Sequence, residues 1–294
     1  MTLQQLLGEA RAVLTAGNIE YPAIEAEMLL RHALKIDRVR LYQELNVDTV
    51  PGQAALFRQL IARRLKGEPS AYITGNREFF GLDFHVDGRV LIPRPETELL
   101  VEKAISIASA RPISTIADIG TGSGAIAVSL ATRLPKANIY ATDISEQALE
   151  VARCNARRHH VTGSITFIQG DLLDPLPEAV DLIIANLPYV RECDLPQNGF
   201  EPGLALDGGR DGLAQICPLC RQASFKLKPC GSLLLEIGLG QDKALVNFLQ
   251  GLFPEAQIEV FPDLAGIPRI VILNLTPESL TAKLDLVLSD STKR

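Results

Sequence analysis

Several things are scarce in this chain, and each scarcity narrows what it can be. Cysteine is one: five residues in a chain of 294, an odd number, do not make a disulfide framework. A reducing compartment, the cytosol, is expected. No apolar run reaches the length of a membrane span, and no charged-apolar-small pattern opens the chain. Neither a membrane helix nor a signal peptide is therefore expected. Positive charge is also short. Lys and Arg number 29 against 35 Asp and Glu, a formal net charge of −6. That argues against a general nucleic-acid binder, while a local basic face stays open. Apolar residues are not scarce: at 47% they suffice for a sizeable core, in one large domain or two ordinary ones.

Residues 1 to about 75 read as a small helical bundle. Leu3, Leu6, Leu7, Ala10, Val13 and Leu14 share one helical face, and Gly17-Asn18 stops that helix. A second helix follows Pro22 with Ile24, Met28, Leu29 and Ala33 inward. A third runs from about Gln53 to Lys66 with Leu56, Phe57, Leu60, Ile61 and Leu65 inward. Arg58, Arg63, Arg64 and Lys66 give it a basic edge, which reads either as a solvated face or as a docking surface. Residues 76–93 change character. Phe79 to Val86 and Val90 to Ile92 flank Asp87-Gly88, a hairpin signal, and this segment is read as the hinge between domains. Pro93-Arg94-Pro95-Glu96-Thr97-Glu98 follows, a stiff stretch in which Thr97 or a neighbour could cap the helix Leu99 to Ala108.

From Ile113 the pattern becomes strand–helix–strand. Ile116 to Ile119 reads as a strand, Gly120-Thr121-Gly122-Ser123-Gly124 as its turn, and Ala125 to Leu134 as a helix whose N-terminus offers N–H groups to a carboxylate or phosphate. A second strand ends at Asp143, where an acid can accept the hydroxyls of a ribose. A third, Ile165 to Ile168, exits through Gly170-Asp171-Leu172. The G-x-G-x-G spacing lacks the third glycine of the dinucleotide fingerprint. S-adenosylmethionine is therefore preferred over a nicotinamide cofactor, with its methionine part at the glycine turn, its ribose at Asp143 and its adenine near Asp171 and Leu172.

The fourth strand begins at Asp181, and its Leu182, Ile183 and Ile184 form an unbroken apolar run that suits a parallel sheet covered on both faces. It ends in Asn186-Leu187-Pro188-Tyr189. Proline cannot continue a central strand, so the chain leaves the sheet there, at the end where open α/β sheets bind ligands. The Asn186 carboxamide and the flat face of Tyr189 suit a planar nitrogen, either an amide or the exocyclic amine of a base. Residues 191–212 form a long polar loop placed to cover the site. A helix from about Leu213 to Leu227 leads to a fifth strand, Gly231 to Ile237. Gln257 to Phe261 and Arg269 to Leu275 are expected to pair across Asp263 to Gly266. A weak helical pattern remains after Thr276. Cys217 and Cys220 lack a second pair at ligand spacing and read as structural, as does His159-His160.

Taken together, several motifs resemble the PrmC/HemK family of protein-(glutamine-N5) methyltransferases over nearly the whole chain. They are Phe79 to Val86, Ile92 to Glu98, Asp118 to Gly124, Asp143, the Asn186 turn, Glu201-Pro202 with Ala205-Leu206, Gly208 to Leu213, and Arg269 after Asp263 and Gly266. The resemblance implies an α/β fold with a Rossmann-like methyltransferase sheet, mostly parallel with an antiparallel last strand. It implies a helical bundle docking the substrate over 1–75, a β-hairpin linker over 76–93, a catalytic domain over 94–275 and a tail over 276–294. It implies methyl transfer to the glutamine of the Gly-Gly-Gln motif in class I peptide chain release factors, by a cytoplasmic monomer that needs no metal and reads no nucleic-acid sequence.

By the same resemblance Asn186, Leu187, Pro188 and Tyr189 are catalytic, and Arg94 and Glu201 frame the substrate. Gly120, Thr121, Gly122, Ser123, Gly124, Asp143, Asp171, Leu172 and Asn186 hold the cofactor. One residue departs: Leu187 stands where the family usually has proline. Asn-Leu-Pro-Tyr is common in ribosomal-RNA adenine dimethyltransferases, so an adenine methyltransferase acting on ribosomal RNA is the alternative. The Pro-Arg-Pro-Glu-Thr-Glu segment and the Gly-Gly-x-Asp-Gly loop belong with the glutamine enzymes. A nicotinamide-dependent oxidoreductase and a non-catalytic binding protein are the remaining rivals.

Overall fold

Thr2 starts the first helix by a reciprocal pair of bonds. Its hydroxyl oxygen accepts from the Gln5 N–H at 3.3 Å, and its own N–H donates to the Gln5 side chain at 2.9 Å. The computed structural model describes residues 1–196 and 199–276, so the pattern read after Thr276 lies outside the described residues. Two compact units emerge, Met1–Asn76 and the chain from Arg77 onward. The first holds α1 (Leu3–Ala16), α2 (Pro22–Leu34), α3 (Arg38–Gln43), α4 (Pro51–Leu65) and α5 (Ser70–Thr74). Periodicity does not reveal α3 and α5, because six and five residues are too few for a 3.6-residue repeat to show. Leu6, Leu14, Leu29, Leu30, Leu41 and Phe57 fill the core.

Val13, Ile24, Leu56 and Leu65, read as inward, are exposed instead. The buried seams are narrower than the apolar stripes; α1 buries only Leu3, Leu6, Ala10 and Leu14. The basic edge of α4 is turned onto its own unit: Arg58 pairs with Glu9 at 3.2 Å, Arg64 with Glu25 at 3.1 Å and Arg63 with Glu68 at 2.5 Å.

The two-stranded sheet is β1 (Asn76–Phe79) with β2 (Leu82–His85). Its turn is Phe80-Gly81, not Asp87-Gly88. Both turn residues take the left-handed conformation, with φ of 54° and 73°, as a tight hairpin of the primed type requires. Phenylalanine is a poor choice for that conformation, and side chains compensate. Glu98 accepts the Phe80 N–H at 2.9 Å and Glu78 accepts the Gly81 N–H at 2.8 Å. The strand β2 is tied to the second unit: Asn155 accepts the His85 N–H at 2.7 Å and donates to the His85 carbonyl at 2.9 Å.

The second unit is built on a seven-stranded sheet. In chain order it contains α6 (Glu98–Ala110), β3 (Thr115–Ile119), α7 (Ala125–Arg133), β4 (Asn138–Asp143), α8 (Glu146–Arg158) and β5 (Ile165–Gln169). Then come β6 (Val180–Ala185), α9 (Ile216–Lys226), β7 (Leu227–Glu236), α10 (Asp242–Leu252), β8 (Gln257–Pro262) and β9 (Pro268–Asn274). The spatial order is β5-β4-β3-β6-β7-β9-β8. All neighbours from β5 to β7 are parallel, while β9 runs antiparallel to both β7 and β8. The chain steps outward from β3 through β5, then returns to lay β6 on the other side of β3. The crevice above that reversal is where open α/β sheets bind ligands.

Candidate active site

Strand register brings the site residues together. Ile119 pairs with Thr142 on one side and Ala185 on the other, so Gly120 leaves the sheet between Asp143 and Asn186. Ala185 pairs with Leu235, so Asn186 leaves beside Glu236. A cavity of about 680 Å³ opens there, within the range of small-molecule sites. Its wall includes Arg94, Gly120, Thr121, Gly122, Ser123, Asp143, Asp171, Leu172, Asn186, Leu187 and Pro188. Gly124, Tyr189 and Glu201 stand outside the wall.

On the β3–β5 side, carboxylates organise the glycine turn. Asp143 accepts from the Gly122 N–H with one oxygen and from the Ser145 N–H with the other, each at 2.9 Å. Burial pushes its carboxyl up despite these bonds. Asp118, fully buried at the end of β3, accepts the Thr121 hydroxyl at 2.6 Å and the Ala127 N–H at 3.1 Å on a single oxygen. Burial pushes it up to about 7; its other oxygen, Oδ1, is buried without a partner. The N–H groups expected to face an anion are thus partly taken by the protein's own acids. A pyrophosphate would sit against two carboxyls, whereas a cationic ligand would find them favourable. The site therefore fits S-adenosylmethionine, with its sulfonium and ammonium charges, better than a dinucleotide. Gly124 serves packing: at φ 79°, a Cβ there would lie 3.1 Å from the Ala152 side chain on α8. Leu172 takes φ 46°, and its carbonyl accepts the Thr142 hydroxyl at 3.0 Å.

On the β6–β7 side, residues far apart in sequence hold the Asn186 turn. Asn186 Nδ2 donates to Thr97 Oγ1 at 3.0 Å, and that bond leaves Oδ1 as the amide's free acceptor. Thr97 makes no capping bond to α6; its side chain is committed here instead. Leu187 is buried, and its side chain abuts Gly120, where an added Cβ would come within 2.9 Å of it. Packing of this branched side chain fixes the turn where a proline ring is missing. Tyr189 is held at both ends. Its hydroxyl donates to Glu236 Oε1 at 3.1 Å, and its carbonyl accepts from Gln241 Nε2 at 2.9 Å. Burial pushes its phenol well above the ordinary range. The loop after Tyr189 folds back tightly, since a Cβ on Gly212 would lie 2.3 Å from the Tyr189 carbonyl oxygen. Glu201 ties that loop to the Pro-Arg-Pro stretch: it accepts from the Ile92 N–H at 3.0 Å and from Arg94 Nη2 at 2.5 Å.

Three contributors have no site role in the sequence reading: Thr97, which is read there as a helix cap, Glu236 and Gln241. Glu236 had a signal in the chain, because a carboxylate closing the apolar run Leu233-Leu234-Leu235 is costly to bury without a task. Asp118 after Ile116-Ala117 carries the same signal. Cys217 and Cys220 lie on α9 as free thiols; Cys220 is buried, which pushes its thiol up to about 12.

Fold, reversal point and glycine turn together define a Rossmann-like methyltransferase. Comparison with known proteins narrows the class. Residues 5–75 match the PrmC N-terminal domain and residues 96–198 the methyltransferase small domain. The release factor glutamine methyltransferase of Moorella thermoacetica is 45% identical, over 92% of this chain and 97% of that one. Its counterpart in Koribacter versatilis is 38% identical over 92% and 98%; that of Bordetella pertussis is 42% identical over 85% and 93%. The chain belongs to the release factor glutamine methyltransferase family. Among solved structures, the catalytic domain of hMettl16, in complex with the MAT2A 3'UTR hairpin 6, superposes with a TM-score of 0.52 at 15% identity. It covers 76% of this chain and 81% of that one, a likeness of fold alone. Among the described residues, no helix is long and apolar enough to cross a membrane.

Proposed function

We propose that this enzyme transfers a methyl group from S-adenosylmethionine to the side-chain amide nitrogen of the Gly-Gly-Gln glutamine in class I peptide chain release factors. The observation that carries the reading is the Asn186 carboxamide, anchored through Nδ2 on Thr97 at 3.0 Å and left with Oδ1 to accept. The relatives that match over 92% of the chain favour a glutamine amide over an adenine as the acceptor.

When bound, S-adenosylmethionine supplies an electrophilic methyl group on its sulfonium. The chain's own residues supply placement. An amide nitrogen is a poor nucleophile because its lone pair is delocalised into the carbonyl, so orientation is the main resource available. Asn186 Oδ1 accepts one N–H of the substrate amide and the Leu187 carbonyl the other. Together they turn the nitrogen lone pair toward the cavity and favour a less planar nitrogen. Leucine provides that carbonyl as well as proline would. Tyr189, behind the wall, steadies the turn through its bonds to Glu236 and Gln241, and Glu201, also behind it, holds Arg94 in place at the wall. Asn186 carries no charge with which to act as a strong base, so the surplus proton leaves to solvent after transfer. Asp143, Asp171 and Leu172 hold the adenosyl part, and the glycine turn holds the methionine part. The helical unit docks the factor. The enzyme works as a cytoplasmic monomer and reads no nucleic-acid sequence, in keeping with its net charge of −6.

The deciding experiment offers labelled S-adenosylmethionine with two acceptors side by side, a class I release factor and ribosomal RNA. The factor is run as wild type and with its Gly-Gly-Gln glutamine replaced. Label is expected in the wild-type factor only. Label in RNA alone would sink the proposal.

A further inference from the structure

Exposed apolar side chains crowd one end of the second unit. Among its described residues, seven large ones are exposed. Five of them follow strand ends where the cavity opens: Ile144 after β4, Phe200 and Leu204 after β6, Leu239 after β7 and Leu264 after β8. β8 counts with the parallel strands here, because two antiparallel steps, β7 to β9 and β9 to β8, restore its direction. The other two, Phe225 near the end of α9 and Val260 on β8, lie elsewhere. Exposed leucines scattered singly are ordinary, whereas a concentration of them around a cavity marks a contact surface.

Leu239 and Leu264 stand on the substrate half of this rim, and both are held stiffly. Leu239 is 76% exposed between Gly238 and Gly240. Gln241 fixes its turn: the side chain accepts the Gly238 N–H at 2.7 Å and donates to the Tyr189 carbonyl at 2.9 Å, which ties Leu239 to the Asn186 turn. Leu264 is wholly exposed at the tip of the β8–β9 turn. Beside it, Asp263 accepts the Ala265 and Ile267 N–H groups at 2.9 and 3.0 Å, and Arg269 at 3.1 Å. Arg269 also donates to the Ile237 carbonyl at 3.0 Å, so one guanidinium joins the feet of both turns. A leucine on a slack loop could fold back onto the protein. These two are kept in water, an unfavourable place until a partner covers them.

Charge indicates what that partner is. From Gly238 to Asp242 and from Asp263 to Pro268 there is no Lys or Arg, and Arg269 is engaged by Asp263 and the Ile237 carbonyl. A phosphate backbone would meet Asp242 and Asp263 here, and phosphate binding needs cations. A polypeptide brings apolar side chains that match. We propose that Leu239 and Leu264 form an apolar ledge that receives apolar side chains of the substrate polypeptide outside the reacting glutamine. The enzyme then grips the protein beside the site as well as the amide within it. The inference rests on the reading of the acceptor as a protein glutamine. Such a ledge adds binding that is equal in the ground state and the transition state, so it acts on KM and leaves kcat alone.

The test measures kcat, KM for an intact class I release factor and calorimetric cofactor affinity. It compares wild type with Leu239→Ser, Leu264→Ser, Leu264→Met and Phe225→Ser. Phe225 is the control: at 79% it is as exposed as Leu239, but it lies near the start of β7, at the opposite end of the sheet. Leu239→Ser and Leu264→Ser are each expected to raise KM about tenfold, as when an apolar side chain loses part of its burial. Both should keep the wild-type kcat at saturation and the wild-type cofactor affinity. Leu264→Met, which keeps an apolar side chain, stays near wild type, and so does Phe225→Ser. The inference is overturned if KM is unchanged in either serine variant of the ledge, if Phe225→Ser raises it as much, or if kcat falls instead. A wild-type enzyme that labels ribosomal RNA and not the factor overturns the substrate reading and the ledge with it. A factor labelled equally well by every variant overturns the ledge alone.

Discussion

On the cofactor side of the cavity, each group leaves the sheet within a few residues of a strand end: Gly120 after β3, Asp143 closing β4, Leu172 after β5. The substrate side is assembled differently. Asn186 is held by Thr97, 89 residues earlier in the chain. Tyr189 is held by Glu236 and Gln241, 47 and 52 residues later. Glu201 reaches back across 109 residues to Ile92. One half is thus made wherever the parallel sheet is made. The other depends on side chains that meet only once loops, α6 and β7 are all in place. The cofactor half should therefore tolerate change elsewhere in the molecule, and the substrate half should be sensitive to substitutions well away from it.

Asn186→Ala gives the largest effect that follows. It removes the oriented acceptor and leaves the cofactor turn as it was. We expect kcat to fall on the order of 10³-fold, as when a positioned hydrogen-bonding group is lost from an active site. Calorimetric cofactor affinity should be nearly unchanged. A parallel collapse of cofactor binding would mean that the halves are not separate. Asp143→Ala is the mirror experiment. It removes a carboxylate from the cofactor side and also the anchor of the Gly122 N–H, 2.9 Å away. Two charge-assisted hydrogen bonds are worth about 3 kcal/mol in total, hence a cofactor dissociation constant weaker by roughly 10²-fold. At saturating cofactor, kcat should stay near wild type. A large loss of kcat at saturation would blur the division.

The same division explains what a reader of the sequence can see. Apolar runs punctuated by glycine or acid mark β3 to β7, and Gly120, Asp143 and Asp171 are legible because their meaning is local: a turn, a strand end, an exit. Asn186 to Tyr189 is legible as a turn for the same reason. Thr97 is not, since its place before α6 suggests a cap, and only the fold offers its hydroxyl a better partner in Asn186. The hairpin misleads in a similar way. Asp87-Gly88 is the stronger local signal, yet Glu98 and Glu78 hold Phe80-Gly81 in the turn, and a propensity reading has no access to that bond from Glu98. Glu236 stood in plain view as an acid ending a buried strand. Its partners were invisible until register placed it beside Asn186.

Leu187 is the seam between the halves, and its replacement should give the smallest effect but the most telling one. Its carbonyl belongs to the substrate side, while its buried side chain lies against Gly120 of the cofactor turn. Leu187→Ala keeps the carbonyl and empties the space. A buried leucine cut to alanine lowers stability by roughly 2–5 kcal/mol, which urea denaturation would read. The low end is expected here, because the residue borders an open cavity into which its neighbours can relax. With the turn loosened on both flanks, cofactor affinity and kcat should each fall by no more than about tenfold, since a shift of a fraction of an ångström misplaces both ligands a little. Asn186→Ala and Asp143→Ala each move one of these quantities; Leu187→Ala should move both. If only one moves, the halves do not communicate through this side chain, and its burial against Gly120 serves the fold alone.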